Sequence, residues 1–360
     1  MTSKCRSRSS GADVRVALCL AAVLLVSAAR ARPPTRKPDA GSPTPSSAVA
    51  PLGPGETVGW SHAPYEDGNC ALCHERSDPK SPGKITMPVN ELCFSCHEDV
   101  KGLMDRRAHR HSPAKKDCTL CHNPHNAPAR KLLVKELTSL CFGCHEPTQK
   151  DVQAATVVHL PVTEGDQCMN CHNPHASNID QLLRFPPYEL CVTCHGLDDV
   201  RDTRGVKLAN IKRVLDEGQV KHGAIKDCTA CHVAHGSPNF RLLVDPYPGE
   251  FYASFDPKNY ALCFECHKPD IVREASTTTL TRFRDGSKNL HFVHVNREDR
   301  GRTCRACHET HAAHQRHLIR DAVPYGPKGW LLEVNFKPLP DGGECARTCH
   351  PTRRYSNTAK

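Results

Sequence analysis

The longest apolar stretch of the chain is also its first. Val16 to Ala29 is hydrophobic except for Ser27; Lys4, Arg6, Arg8 and Arg15 precede it, and Ala29-Arg30-Ala31 closes it. A basic start, an apolar centre and a small-x-small end make residues 1–31 a secretory signal peptide. The run is about fourteen residues, short of the roughly twenty that a permanent membrane helix needs. No later segment is apolar enough to span a bilayer, so none remains after signal cleavage. Residues 32–60 are rich in Pro, Ser, Thr and Gly and read as an extended linker. Beyond them the clearest helical spacing is Lys207–Val220, with Leu208, Ile211 and Leu215 in register. Trp330–Phe336 reads as a short strand. Elsewhere the apolar positions come as doublets, Leu132-Leu133, Leu182-Leu183 and Leu242-Leu243, each ahead of a cysteine-containing segment.

That pattern is too thin to build cores. Hydrophobic residues are 38% and aromatics 5% of 360 residues, so two conventional domains are excluded. A polar chain with 29 prolines would be disordered by default, but 22 cysteines and 23 histidines argue otherwise. Something other than side chains supplies the core.

Cys5 and Cys19 leave with the signal, and every other cysteine falls in one pattern. Nine copies read C-x-x-C-H: Cys70-Cys73-His74, Cys93-Cys96-His97, Cys118-Cys121-His122, Cys141-Cys144-His145, Cys168-Cys171-His172, Cys191-Cys194-His195, Cys228-Cys231-His232, Cys263-Cys266-His267 and Cys304-Cys307-His308. The tenth, Cys345 to Cys349-His350, has one extra residue between the thiols. The motif attaches c-type haem: the thiols add to the two porphyrin vinyl groups, and the histidine becomes the proximal iron ligand. A disulfide framework, paired zinc knuckles or redox dithiols would each use C-x-x-C. None of these requires the histidine that follows all ten motifs. Ten covalent haem c groups are therefore expected, with a Cys345–Cys349 disulfide as the alternative at the last.

The motifs come in pairs. The leading cysteines stand 23 residues apart in the first three pairs, 35 in the fourth and 41 in the fifth. Five tandem di-haem repeats follow, about 61–108, 109–158, 159–220, 221–289 and 290–360, each too small to bury its own apolar surface. The expected fold is mostly coil and short α-helices wrapped around a linear haem stack, with little or no β.

Thirteen histidines remain. His62, His111, His159, His222 and His294 lie upstream of a pair. His125, His175, His235 and His311 follow the first motif of repeats two to five as C-H-x-x-H. These nine are the expected distal ligands, with the tenth among His109, His291, His314 and His317. A histidine three residues past a proximal ligand cannot reach the far face of the same ring, since that span is about 10 Å. It can reach a neighbouring haem, so His125 would tie a second iron close to that of His122. Met87, Met104 and Met169 are the only methionines left as rival ligands, so most irons should be bis-His and low in potential.

Taken together, DCTLCHNPH (117–125) and LTSLCFGCH (137–145) resemble the doubled CxxCH repeat of exported multihaem c-type cytochromes. Ten haems on a chain of this size is similar to periplasmic decahaem carriers seated in outer-membrane porin–cytochrome conduits. The resemblance implies an electron relay rather than an enzyme, with redox partner proteins: quinol-linked cytochromes, other multihaem cytochromes or an outer-membrane porin. It departs from that pattern in the first repeat, which lacks the C-H-x-x-H histidine, and in the last motif. A multihaem reductase would need one open haem, for which the first repeat offers the only opening. A filament-forming cytochrome would share a histidine between subunits, for which His62 is placed.

The formal charge of +9 invites nucleic acid, yet residues 1–31 carry five bases against one acid, leaving +5. Each haem brings two carboxylates and, when ferric, one formal positive charge. Ten would take the total to about −5 oxidised and about −15 reduced. The basic residues answer the cofactors, and no nucleic acid is expected.

Overall fold

Each repeat builds its two motifs differently. The first motif is a single 3₁₀ turn, as at Cys70–Leu72, Cys118–Leu120, Cys228–Ala230 and Cys304–Ala306. Asp117 and Asp227 cap two of these turns, accepting from the amides of Thr119 and Thr229. In the first four repeats the second motif lies at the end of an α-helix: Val89–Phe94, Leu137–Phe142, Pro187–His195 and Ala261–Phe264. In the fifth, Cys345 instead ends the strand Gly342–Cys345, the middle of a three-stranded antiparallel sheet with Phe336–Leu339 and Arg353–Ser356. These features come from a computed structural model that describes residues 59–326, 330–345 and 348–358. The signal peptide and nearly all of the linker lie outside the described residues.

The expectation of little or no β is wrong. Among the described residues helix makes up 37% and strand 20%, the latter in many small antiparallel sheets, so these residues are not mostly coil either. Most strands are only two residues long, too short to show an alternating pattern in the sequence. Their placement explains them. Trp60–Ser61 pairs with Asn126–Ala127, His109–Arg110 with Ala176–Ser177, Val157–Val158 with Gly236–Ser237, and Val220–Lys221 with Ala312–Ala313. Each ladder ties the lead of one repeat to the segment just after the C-H-x-x-H histidine of the next. The downstream strands use small residues, all buried, because the two backbones approach closely. A Cβ on Gly236 would lie 2.7 Å from the Ala155 Cβ.

The ends differ. Just ahead of the fifth repeat, Lys288–Asn289 pairs locally with Arg284–Asp285 instead of with a later segment. The first has no predecessor. Its 75–84 segment closes on itself, with the Glu75 amide donating to the Lys84 carbonyl.

Two further expectations shift. The helix of 207–220 is confined to Ile211–Glu217, because Asn210 caps it and Val220 enters a ladder. Trp330–Phe336 divides into Trp330–Glu333 and Phe336–Leu339, with Asn335 between them at φ 43°. The apolar core is small: Leu243, Tyr247 and Tyr260 form its centre. Met104 is buried, at 6% exposure.

Candidate haem sites

The histidines meet in pairs, and the pairing follows two rules. The second motif of a repeat meets the upstream histidine of the same repeat. Ring centroids are 6.2 Å apart for His62–His97 and 6.1 Å for His111–His145, His159–His195 and His222–His267. The first motif meets the C-H-x-x-H histidine of the following repeat. His74–His125 and His172–His235 are 6.1 Å apart, His122–His175 6.2 Å and His232–His311 6.3 Å. The two partner histidines of a repeat lie side by side: the His62 amide donates to the His125 carbonyl at 2.9 Å, and His111–His175, His159–His235 and His222–His311 repeat the bond.

The second rule accounts for the first repeat. A C-H-x-x-H histidine completes the motif of the preceding repeat, and the first repeat has none to complete. His125, expected to reach a haem other than that of His122, faces His74 of the preceding repeat. The fifth repeat has no successor to lend a histidine, so one helix, Leu290–Val295, provides two. His291 faces His308 at 6.3 Å, and His294 lies within electrostatic reach of His350. The signal for His291 was present in the sequence as a second histidine three residues from His294, on the same helical face. The three remaining histidines serve elsewhere. His109 faces Asp180 at 3.3 Å, His314 bonds Asp321 at 2.7 Å, and His317 offers its carbonyl to His308.

The pair spacing fits a shared metal centre. Two imidazole nitrogens about 2.0–2.1 Å from a metal, each about 1.1 Å from its ring centre, set the centres about 6.2 Å apart when trans. Nine pairs fall between 6.1 and 6.3 Å. Pairs of tyrosine and phenylalanine rings here scatter from 4.7 to 6.1 Å, as ordinary contacts do.

Second partners orient the rings. The Nδ1 of His122, His172, His232 and His308 bonds the carbonyl nine residues on, from Lys131, Gln181, Arg241 and His317. Those four residues hold left-handed φ of 53–59°, uncommon without glycine, which turns their carbonyls onto the imidazole. Gly83 plays that part for His74 in the first repeat, at φ 81°. Upstream, His62, His111 and His159 bond the carbonyls of Pro124, Pro174 and Ala234. With Nδ1–H so committed, Nε2 is the nitrogen left to bind a metal. Burial lowers the pKa of His111, His159, His175, His195, His222, His232 and His235, and brings His291 to about 4. Neutral imidazole is the metal-binding form.

The cysteines line up in sequence order. All twenty among the described residues, Cys345 and Cys349 included, are free. Within repeats, Cys73 lies within electrostatic reach of Cys93 and Cys96, Cys121 of Cys144, Cys171 of Cys194, Cys231 of Cys263 and Cys266, and Cys307 of Cys345 and Cys349. Between repeats, Cys118 lies within electrostatic reach of Cys93, Cys141 of Cys168, Cys191 of Cys228 and Cys304 of Cys263. Every motif therefore adjoins the next.

Residues 62–102, 111–150, 159–199 and 220–271 each match the family described as the doubled CXXCH motif. No curated protein matches the chain. The chain belongs to this family of multihaem c-type cytochromes, whose CXXCH cysteines carry haem c covalently. No helix among the described residues is long and apolar enough to cross a membrane.

Proposed function

We propose that the protein is an exported decahaem cytochrome that relays electrons along a row of bis-His haems, one per motif, in five di-haem repeats. The observation that carries this reading is the unbroken adjacency of motifs from Cys70 to Cys349. Bound haem would supply one-electron chemistry at iron; the chain fixes where each haem sits and how it is tuned. The cysteines of each motif would hold the porphyrin covalently, and the trailing histidine, with its 6.1–6.3 Å partner in nine motifs, would ligate the iron. Nine of the ten proximal histidines have a partner ring at 6.1–6.3 Å, and His350 has His294 within electrostatic reach, which favours a carrier over a reductase with an open haem. The axial positions being filled within one chain also argues against a filament that borrows His62.

The basic, apolar and small-x-small layout of residues 1–31 supports a periplasmic relay. Its partners would be redox proteins, among them quinol-linked and multihaem cytochromes or an outer-membrane porin. Mass spectrometry of the mature protein tests the count: ten haem additions and loss of residues 1–31 are expected. Nine additions with a Cys345–Cys349 disulfide would reduce the reading to nine. The ferric protein should give wholly low-spin spectra; a high-spin signal would favour the reductase.

A further inference from the structure

Among the described residues, the lysine and arginine side chains that are buried or half-buried all lie between 284 and 320. Every lysine and arginine among the described residues is exposed except Arg284, Arg302, Arg305 and Arg320. Arg320 has partners: it donates to the His308 carbonyl at 2.9 Å and to Glu309 at 2.8 Å. The other three each bury an Nε–H with no acceptor among the described residues. A buried donor without a partner is costly, and a buried cation more so, unless an anion arrives from outside the polypeptide. Arg302 lies within electrostatic reach of Cys307 and Cys345, of the last two motifs, and of the partner histidine His294. Arg305 sits inside the ninth motif, its amide donating to the Tyr247 hydroxyl at 2.9 Å. Arg284 pairs through its backbone with Asn289, which caps the helix that carries His291 and His294.

The anion such residues fit is a carboxylate, which the guanidinium fork grips in two bonds. Resting on the haem reading above, we propose that Arg284, Arg302 and Arg305 bind propionate carboxylates of the fifth repeat's haems. This makes the haem between His291 and His308 the electron sink of the row. Adding an electron to a haem adds negative charge, which a buried cation stabilises. Two further features act in the same direction there. The site is the most enclosed of the leading motifs: Ala306 is 4% exposed, whereas Leu72 in the first is 63% exposed. Enclosure disfavours the charged ferric state. The Nδ1 of His291 meets the Thr281 hydroxyl at 3.1 Å rather than a backbone carbonyl, so that ring is the weaker donor to iron. Electrons then run from the amino-terminal repeats toward residue 304. In each step one electron leaves the ferrous centre of the preceding motif, which becomes ferric, and reduces the next. No proton moves and no bond is broken, and the redox partner supplies the electron.

The test is a stepwise reduction of isotope-labelled holoprotein followed by NMR, because reduction to low-spin ferrous iron removes the paramagnetic shifts of nearby amides. With the first electron per molecule, amides of 281–320 should lose those shifts before amides of 60–125. The reverse order, or simultaneous loss, overturns the proposal. In R302Q, at the poise that half-reduces the first haem of the parent, the reduced-to-oxidised ratio should fall about tenfold. R302K should restore it. If R302K falls as far as R302Q, the arginine is structural and the proposal fails; if R302Q does not mature, R305Q and the parent NMR titration decide. Haem counting by mass on the same samples separates the two readings: fewer than ten haems overturns the relay as drawn, and ten haems with the wrong order overturns only the sink.

Discussion

His125 makes the pairing rule testable one residue at a time. It stands three positions after His122 yet faces His74, a residue of the preceding repeat. An H125A variant should keep all its haems and gain one high-spin signal, from the first motif, while the haem held by His122 stays low-spin with His175. Electron paramagnetic resonance checks this; a signal from the third motif would mean that C-H-x-x-H histidines serve their own repeat. His314 gives a prediction of another kind, since its bond to Asp321 raises the histidine's pKa and lowers the carboxylate's. A raised histidine stabilises the fold below its unfolded value of about 6.5 and ceases to as pH rises through its folded value. A lowered aspartate stabilises above about 3.9 and ceases to as pH falls. The pair therefore helps between about pH 4 and 6.5. D321N should lower the melting temperature slightly within that window and change it least at pH 9; a difference that is constant with pH would assign the effect to packing. The cysteines and proximal histidines were legible in the sequence because covalent attachment fixes their spacing. The partners were legible as residues but not as pairs, because a pair depends on which repeat folds against which.

At the scale of elements, the two-residue ladders do the joining. Ala176 is 1% exposed in the strand that meets His109–Arg110, next to His175 and across from Arg110. Leucine there would overpack a junction with no room to yield, at a cost of about 1–3 kcal/mol. A176L should melt earlier than the parent in thermal unfolding, whereas A114L, outside every ladder, should melt almost unchanged. Equal losses would show that the ladders carry no special weight. These strands escaped the sequence reading for a physical reason: two residues cannot display an alternating pattern, and small buried residues such as Gly236 and Ala312 carry little hydrophobic signal. The turns that aim carbonyls at the proximal histidines were equally silent. Lys131, Gln181, Arg241 and His317 take left-handed φ without being glycine, and only Gly83 marked the position. The shortened helix at Ile211–Glu217 shows the opposite error, in which apolar spacing ran past the Asn210 cap and into a ladder strand.

Across the whole molecule, each repeat completes its neighbour, so the array is closed only when all five are present and each haem is in place. The polypeptide has little else to hold it together. The fully buried side chains are few, Tyr260, Asn289 and Ser237 being the largest, and large apolar groups such as Trp60, Leu72 and Leu331 remain about half exposed or more. Conformational entropy of about 1–2 kcal/mol per residue must be offset by burial, which this side-chain set does not provide. The histidine pairs cannot replace it: with rings about 6 Å apart, their contact is slight until something fills the gap. The haem-free protein, made by replacing all twenty cysteines with alanine or by expression without haem attachment, should therefore be unfolded. Circular dichroism should show little helix and no cooperative melt, whereas the holoprotein should show both. Binding groups that favour only the folded state stabilise it by mass action, and covalent attachment makes that coupling permanent. A cooperative transition in the haem-free chain would mean that the ladders and the Tyr260 cluster suffice alone. The haems would then occupy a scaffold already built rather than form its core.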